Sequence, residues 1–380
     1  MTATCATQPR ILIADDQADL LDALRLLLKS QDIQMEAVTS PDAILAAVAS
    51  GSFDLLLMDL NYTGDTTSGR EGIDLLARVQ ELDSLLPIIA MTGWGSVDLA
   101  VEAMRRGVRD FVQKPWDNGQ LLATLRAEID EGRTRRRRSA DEHRELQEAL
   151  RIQRKLLPAS MPQVEGLEIA TSWQPASGVG GDCFDGIPFG TKKLAVSIAD
   201  VVGKGIPAAL LMSNLQASVR AFATEAAEPA ALCHQVNRVL CGHIAEGRFI
   251  SFFYCVFDSE DGSLAYCNAG HYPPILVRAS GDVERLGTGG PVLGVFPEGT
   301  YEQAQVTIRS GDRLVLYTDG MTDACSPADE EFGEERLVSE AVTNRGCSAP
   351  ALQARLADSV ASFAGGRFQD DATLIVMAAD

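Results

Sequence analysis

Apolar positions between Ile11 and Leu125 fall into short runs separated by longer amphipathic stretches. ILIA (11–14), LLLM (55–58), PIIAM (87–91) and DFVQ (110–113), with a weaker run at 35–38, have the length of buried strands. The stretches between them, such as 20–29 with leucines at helical spacing, have the period of helices. Strand and helix alternating in this way predict an α/β doubly wound, five-stranded parallel sheet. From Gly119 to Leu157 the pattern changes: no glycine follows Gly132, no proline interrupts before Pro158, and Arg, Glu, Leu and Gln dominate. One long helix or two joined ones is predicted. Within it Leu146, Leu150 and Leu157, with Ala149 and Gln153, make a short stripe suited to pairing helices, so a homodimer through this linker helix is expected. Beyond Pro158, the runs 194–200, 252–258, 264–270, 312–320 and 372–378 read as strands, and 207–223, 230–243 and 349–363 as helices. Their order predicts an α+β domain, a β-sandwich layered with helices. The expected division is one domain over 9–125, a helical or coiled-coil linker over 126–157 and a second domain over 158–380.

Composition narrows the function. The 380 residues carry 33 basic and 53 acidic side chains, a net charge of −20, which disfavours nucleic-acid backbones and anionic membrane surfaces as partners. The charge is uneven: residues 120–157 hold ten Lys or Arg against seven Asp or Glu. The run Arg135–Arg138 is spread around the axis by helical spacing and reads as a solvated helix surface before it reads as a nucleic-acid patch. No apolar run approaches the roughly 18 residues of a membrane span, and the first residues lack the apolar stretch of a signal peptide, so a cytoplasmic location is expected. Eight cysteines without a C-x-x-C pair and four scattered histidines argue against a zinc site.

Three carboxylates stand where strands should end: Asp15 and Asp16 after the first run, Asp59 after the third. In a doubly wound sheet ligands bind beyond the carboxyl ends of the strands, so the three should converge. Like charges about 4 Å apart repel by about 4 kcal/mol at an effective dielectric near 20, so the group calls for a cation, and all-oxygen donors favour Mg²⁺. Thr92 after the fourth run adds a hydroxyl, and Lys114 after the fifth an ammonium. A metal, a carboxylate nucleophile, a hydroxyl and an ammonium suffice to accept and hold a phosphoryl group. Any one aspartate alone reads equally as a helix cap. Together, ADDQ, MDL, MTG and DFVQKP in this order and spacing resemble a response-regulator receiver domain. The resemblance implies Asp59 as phosphoacceptor, Asp15, Asp16 and the Asn61 carbonyl as Mg²⁺ ligands beside it, Thr92 and Lys114 as phosphate contacts, and Phe111 as the aromatic switch. It also implies a sensor histidine kinase as partner. NYTGDTTSGREG (61–72) departs from the family in being longer and lacking its usual proline.

A second set of carboxylate-bearing turns follows: GVGGDCFD (178–185), IADVVGKG (198–205), YTDG (317–320) and QDDAT (369–373). Glycines beside them let backbone approach a ligand. Asp200, Asp319 and Asp370 brought together require cations, and two divalent ions would orient a hydroxide toward a phosphate ester. These turns, with IQRKLLP (152–158), NAGHYPP (268–274) and FGEERL (332–337), resemble the PPM-type metal-dependent serine/threonine phosphatases of the SpoIIE-like branch, which acts in bacterial sigma-factor control. The resemblance implies two Mn²⁺ or Mg²⁺ ions. Asp200 would bridge them, with the Val201 carbonyl as a further ligand. Asp319 and Asp370 would hold the second metal, and Asp182 would stand in the metal shell. Asp185 and Asp371 are further candidates. His271 beside a glycine and two prolines reads as structural before it reads as catalytic. Lys204 reads either as a substrate-phosphate contact or as an exposed side chain.

The combination implies a two-component response regulator whose output is a protein phosphatase. Phosphorylation at Asp59 would regulate hydrolysis of phosphoserine or phosphothreonine on a partner, of which an anti-sigma-factor antagonist is the type the resemblance suggests. The competing reading is a receiver-controlled adaptor whose phosphatase fold is inactive. A DNA-binding output is excluded by the lack of any basic helix-turn-helix pattern after residue 125.

Overall fold

The computed structural model describes residues 8–60, 70–93, 97–176, 178–224, 228–244 and 247–379. The chain divides into two compact units, 1–144 and 145–380. Among the described residues no helix is long and apolar enough to cross a membrane.

The first unit alternates β1 (Arg10–Ala14), α1 (Ala18–Lys29), β2 (Gln34–Val38), α2 (Pro41–Ser50), β3 (Leu55–Asp59), α3 (Arg70–Leu82), β4 (Ile88–Thr92), α4 (Val97–Arg105), β5 (Asp110–Gln113) and α5 (Asn118–Leu156). All strands are parallel in the order β2-β1-β3-β4-β5. Period-two alternation explains why the inner strands are apolar throughout. Leu12, Leu56, Met58, Ile88 and Ala90 enter one core with Ile44 and Leu76 of α2 and α3. Ile11, Ile13, Leu55, Leu57 and Ile89 enter the other, with Leu24 of α1 and Leu121, Leu125 and Ile129 of α5.

The segment expected as a separate linker is one unbroken helix, α5, that begins inside the first unit and ends inside the second. Its arginines are only partly solvated, which corrects the sequence reading. Arg133 forks Asp54 at 2.7 and 2.9 Å, and Arg136 reaches Asp83 at 2.5 Å, whereas Arg137 and Arg138 are exposed. Asp54 immediately precedes β3, so these ion pairs clamp the helix at the edge of the sheet opposite Asp59.

The second unit contains β6 (Leu167–Gln174), β7 (Cys183–Phe189), β8 (Lys193–Val201), α6 (Ile206–Phe222), α7 (Pro229–Leu240), β9 (Ile250–Asp258), β10 (Ser263–Ala269), β11 (Ile275–Val277), β12 (Val283–Arg285), β13 (Gly289–Gly290), β14 (Ala304–Thr307), β15 (Arg313–Tyr317), α8 (Asp319–Thr322), α9 (Glu334–Thr343), α10 (Ala349–Phe363) and β16 (Ala372–Ala379). One sheet runs β13-β10-β9-β8-β7 with β14 beside β10, and the other runs β12-β11-β15-β16-β6. Alternate residues of β15 and β16 divide between two cores. Leu314, Leu316, Ile375 and Met377 join the core shared with the first sheet and with α6 and α7, while Val315, Tyr317, Leu374 and Val376 pack on α9 and α10. The result is a sandwich of two sheets between two helical layers.

Part of the leucine stripe of α5 packs inside this unit. Leu157 is buried in the core, Gln153 is buried, and Leu146 lies against Gly178, 3.0 Å from where a Cβ would stand.

Candidate functional site

In the first unit the carboxyl ends of β1, β3, β4 and β5 bring Asp15, Asp59, Thr92 and Lys114 to one edge. Asp15 is fully buried and Asp59 nearly so. The Lys114 ammonium lies between them, 2.5 Å from Asp15 Oδ2 and 2.6 Å from Asp59 Oδ2. Burial by itself would lower the lysine's pKa, but the hydrogen bonds and charges of the two aspartates outweigh it and raise the value. The Gln17 amide donates to Asp15 Oδ1 at 2.9 Å, and the Lys114 amide donates to the Thr92 carbonyl at 2.7 Å, which fixes β5 against β4. Asp16 is partly exposed beside Asp15. Phe111 is half-buried on β5 and lines a cavity of about 300 Å³ with Trp116 and Gln120. Asn61 and most of the long loop after Asp59 lie outside the described residues.

In the second unit five aspartates meet where the two sheets face each other. Asp200 is the next-to-last residue of β8 and Asp182 immediately precedes β7, both in the first sheet; Asp319 opens α8 after β15, and Asp370 and Asp371 precede β16, in the second. Two reciprocal ties hold the sheets in register here. Asp182 Oδ2 accepts from the Thr318 and Thr373 hydroxyls, both at 2.6 Å, and the Thr373 amide donates to Thr318 Oγ1 at 2.9 Å. In return Asp371 accepts from the Ala176 amide at 2.8 Å and the Gly181 amide at 2.6 Å. Two glycines permit the approach. A Cβ at Gly181 would stand 2.7 Å from the Val201 carbonyl oxygen, and one at Gly320 2.0 Å from the Asp371 carbonyl oxygen.

Crowding shows in the protonation equilibria. Burial, then the charges of Asp319, Asp370 and Asp371, pushes Asp200 up to about 7. Burial, then Asp370 and Asp323, pushes Asp319 up to about 6. Asp182 is raised well above the ordinary carboxylate range by burial and by Asp200, against the two threonine hydrogen bonds. Its second oxygen, Oδ1, is buried with no hydrogen-bond partner among the described residues. An orphaned carboxylate oxygen inside a set of mutually repelling carboxylates is the donor chemistry of a hard divalent cation, so these residues fit Mg²⁺ or Mn²⁺. Among the described residues no group of three or more His, Cys, Asp or Glu side chains is spaced so that it could hold a metal ion as it stands. Instead, protein cations and hydroxyls engage several of the acceptors. Lys204, about half exposed, stands 3.1 Å from Asp370 Oδ2 and also donates to the Gln369 carbonyl.

Two candidates take other places. Asp185 is forked by Arg220, Nε to Oδ2 at 2.6 Å and Nη2 to Oδ1 at 2.7 Å. With both oxygens engaged, Asp185 is corrected from a candidate site residue to one half of a structural ion pair. His271 is buried, its Nδ1 2.8 Å from Ser251 Oγ and its amide donating to Asn268 Oδ1 at 2.7 Å. Burial pushes its pKa down to about 4, so its imidazole is neutral near pH 7.

The residues that sequence reasoning passed over are Thr318, Thr373 and Gln153. Gln153, near the end of α5, donates to the Gly180 carbonyl at 2.6 Å and accepts from the Gly180 amide at 3.0 Å. The helix thereby grips the loop that carries Asp182.

Comparison with known proteins identifies a family in each unit. The family model for response regulator receiver domains matches residues 11–126, and that for Stage II sporulation protein E (SpoIIE) matches residues 190–380, half of the chain. The chain is 29% identical over 260 residues to protein IcfG of Synechocystis, covering 61% of this chain but only 41% of that relative. It is 29% identical over 235 residues to phosphoserine phosphatase RsbU of Bacillus subtilis, covering 61% of this chain and 69% of RsbU. The SiaA-PP2C domain of Pseudomonas aeruginosa shares the fold with a TM-score of 0.56 at 21% identity, over 64% of this chain and 98% of that domain. The SpoIIE match spans half of the chain, so the chain belongs to the SpoIIE family and carries a response-regulator receiver domain ahead of that domain.

Proposed function

We propose that this chain is a metal-dependent phosphatase acting on phosphoserine or phosphothreonine in a partner protein, and that phosphorylation of Asp59 by a sensor histidine kinase controls it. The observation that carries the enzymatic reading is the orphaned Oδ1 of Asp182 beside Asp200, Asp319 and Asp370. Asp200 would bridge two Mn²⁺ or Mg²⁺ ions with the Val201 carbonyl close by, Asp319 and Asp370 would hold the second, and Asp182 would complete the shell. When bound, such ions supply a water that is acidic near neutral pH and a clamp on the phosphate oxygens. The chain's own residues do the positioning. Thr318 and Thr373 orient Asp182, Asp371 fixes the glycine loop, and Lys204 is the one cation ion-paired within the described carboxylate cluster, suited to lead an anionic ester in.

In the receiver, Asp15 and Asp16, with Asn61, would hold Mg²⁺ beside Asp59, while Lys114 and Thr92 would take the phosphate oxygens and Phe111 would respond to the change. The route out of the receiver follows from where α5 is held at each end: Arg133 and Arg136 on the first unit, Gln153 on the loop before Asp182 in the second. A tenfold change in rate requires only about 1.4 kcal/mol of bias in that loop. The substrate type that the SpoIIE-like resemblance suggests is an anti-sigma-factor antagonist. A homodimer through the linker helix is supported by exposed Ile152 and Leu156 of α5 beside Ile206 and Leu210 of α6, an apolar face that meets the leucine stripe at Ala149 and Gln153. The test is hydrolysis of a phosphoserine peptide with Mn²⁺: the wild type turns over and Asp200→Ala does not. Equal rates for the two remove the enzymatic reading.

A further inference from the structure

The motif NAGHYPP lies beside the carboxylate cluster without supplying a carboxylate to it. Tyr272 is 41% exposed, although both of its neighbours in the motif are fixed. On one side His271 is buried and tied by its amide to Asn268 Oδ1 and by its carbonyl to Asn268 Nδ2 at 3.0 Å. Its imidazole bonds Ser251, the residue directly opposite Asp200 in the β8–β9 ladder. On the other side Pro273 and Pro274 restrict the backbone. The Tyr272 ring leans on Tyr317 with centroids 5.9 Å apart, and Tyr317 stands two residues before Asp319. The tyrosine is therefore bracketed between the two carboxylate-bearing strands at the rim of the cluster, in the field of Asp323, Asp319 and Asp200. Burial and those charges raise its phenol pKa, so it remains neutral.

A rigid, half-exposed aromatic ring beside a site is the side chain that anchors protein contacts at low entropic cost. Resting on the phosphatase reading above, we propose that Tyr272 is a substrate-positioning residue. Its ring packs against the polypeptide that flanks the phosphoserine, and so selects phosphoprotein over small phosphate esters.

The test compares full-length wild type, Tyr272→Ala and Tyr272→Phe with Mn²⁺ on p-nitrophenyl phosphate and on a phosphoserine peptide with aliphatic flanking residues. Tyr272→Ala is expected to raise KM for the peptide about tenfold with kcat unchanged, to leave the small ester within twofold, and to be rescued by Tyr272→Phe. An equal loss on both substrates, or no change on either, overturns the proposal. Calorimetric titration with the same peptide reads the contact without turnover. A wild type inactive on both substrates counts against the phosphatase reading, while equal peptide affinities of wild type and Tyr272→Ala overturn the tyrosine contact itself.

Discussion

Gln153 and Gly180 are paired reciprocally: the amide side chain of one donates to the carbonyl of the other at 2.6 Å and accepts from its N–H at 3.0 Å, both inside the protein. Gly180 is two residues from Asp182, and Asp371 holds the intervening Gly181. Gln153→Ala leaves a buried N–H and a buried carbonyl unpaired, at roughly 1 to 3 kcal/mol each. The expected result is a loop that closes on metal less often, seen as about a tenfold rise in the Mn²⁺ concentration for half-maximal activity. An unchanged Mn²⁺ titration contradicts it.

Thr318 serves two partners at once, donating to Asp182 and accepting from the Thr373 amide. Thr318→Val keeps the shape and removes both bonds, so the metal-free protein should lose roughly 1 to 3 kcal/mol of stability. Chemical denaturation in EDTA measures this, and a midpoint equal to the wild type's argues against the inter-sheet tie.

The acidic cluster predicts an inverted pH dependence for the metal-free protein. Asp200 and Asp319 bind protons in the folded state up to about 7 and about 6, against an ordinary value of 3.8. Between those limits the folded state holds more protons than the unfolded one, so each rise in pH through the window penalises folding. In EDTA, the melting temperature of wild type relative to Asp200→Asn should fall from pH 5 to pH 7.5, and Mn²⁺ should reverse the trend. A parallel pair of curves contradicts the mutual repulsion.

Lys114 bridges two buried carboxylates, and removing one member of such a group costs roughly 3 to 5 kcal/mol. With the lysine side chain 16% exposed, Lys114→Met should sit near the low end. A divalent cation substitutes for the lost ammonium, so Mg²⁺ should raise the receiver's calorimetric transition more in the variant than in wild type. A variant as stable as wild type, or indifferent to Mg²⁺, counts against the bridge.

The strand-end aspartates were legible because each sits at the end of an apolar run or beside a glycine, positions that local pattern reveals. Thr318 and Thr373 were not, although both lie in quoted motifs: their role follows from the antiparallel register that places Tyr317 opposite Leu374, which is long-range information. The weakly patterned β6 and the short β11 to β14 escaped for the same reason, since pairing partners and not their own periodicity define them. Gln153 left a faint signal as the one polar residue in the leucine stripe, and that Leu157 of the stripe packs in its own domain was not legible, because an apolar helix face looks alike whether it meets a second helix or its own domain. Asp185 shows the reverse error: a carboxylate near a glycine turn is indistinguishable in sequence from a ligand until Arg220, 35 residues on, is seen to take both oxygens.

The most direct measurement is the rate of phosphoserine-peptide hydrolysis by the full chain in Mn²⁺, with and without beryllofluoride at Asp59. A receiver-controlled phosphatase gives a Mn²⁺-dependent rate that shifts about tenfold with beryllofluoride, loses that shift in Asp59→Asn and disappears in Asp200→Ala. A rate that ignores Mn²⁺, survives Asp200→Ala, or is the same with and without beryllofluoride would contradict a receiver-controlled, metal-dependent phosphatase.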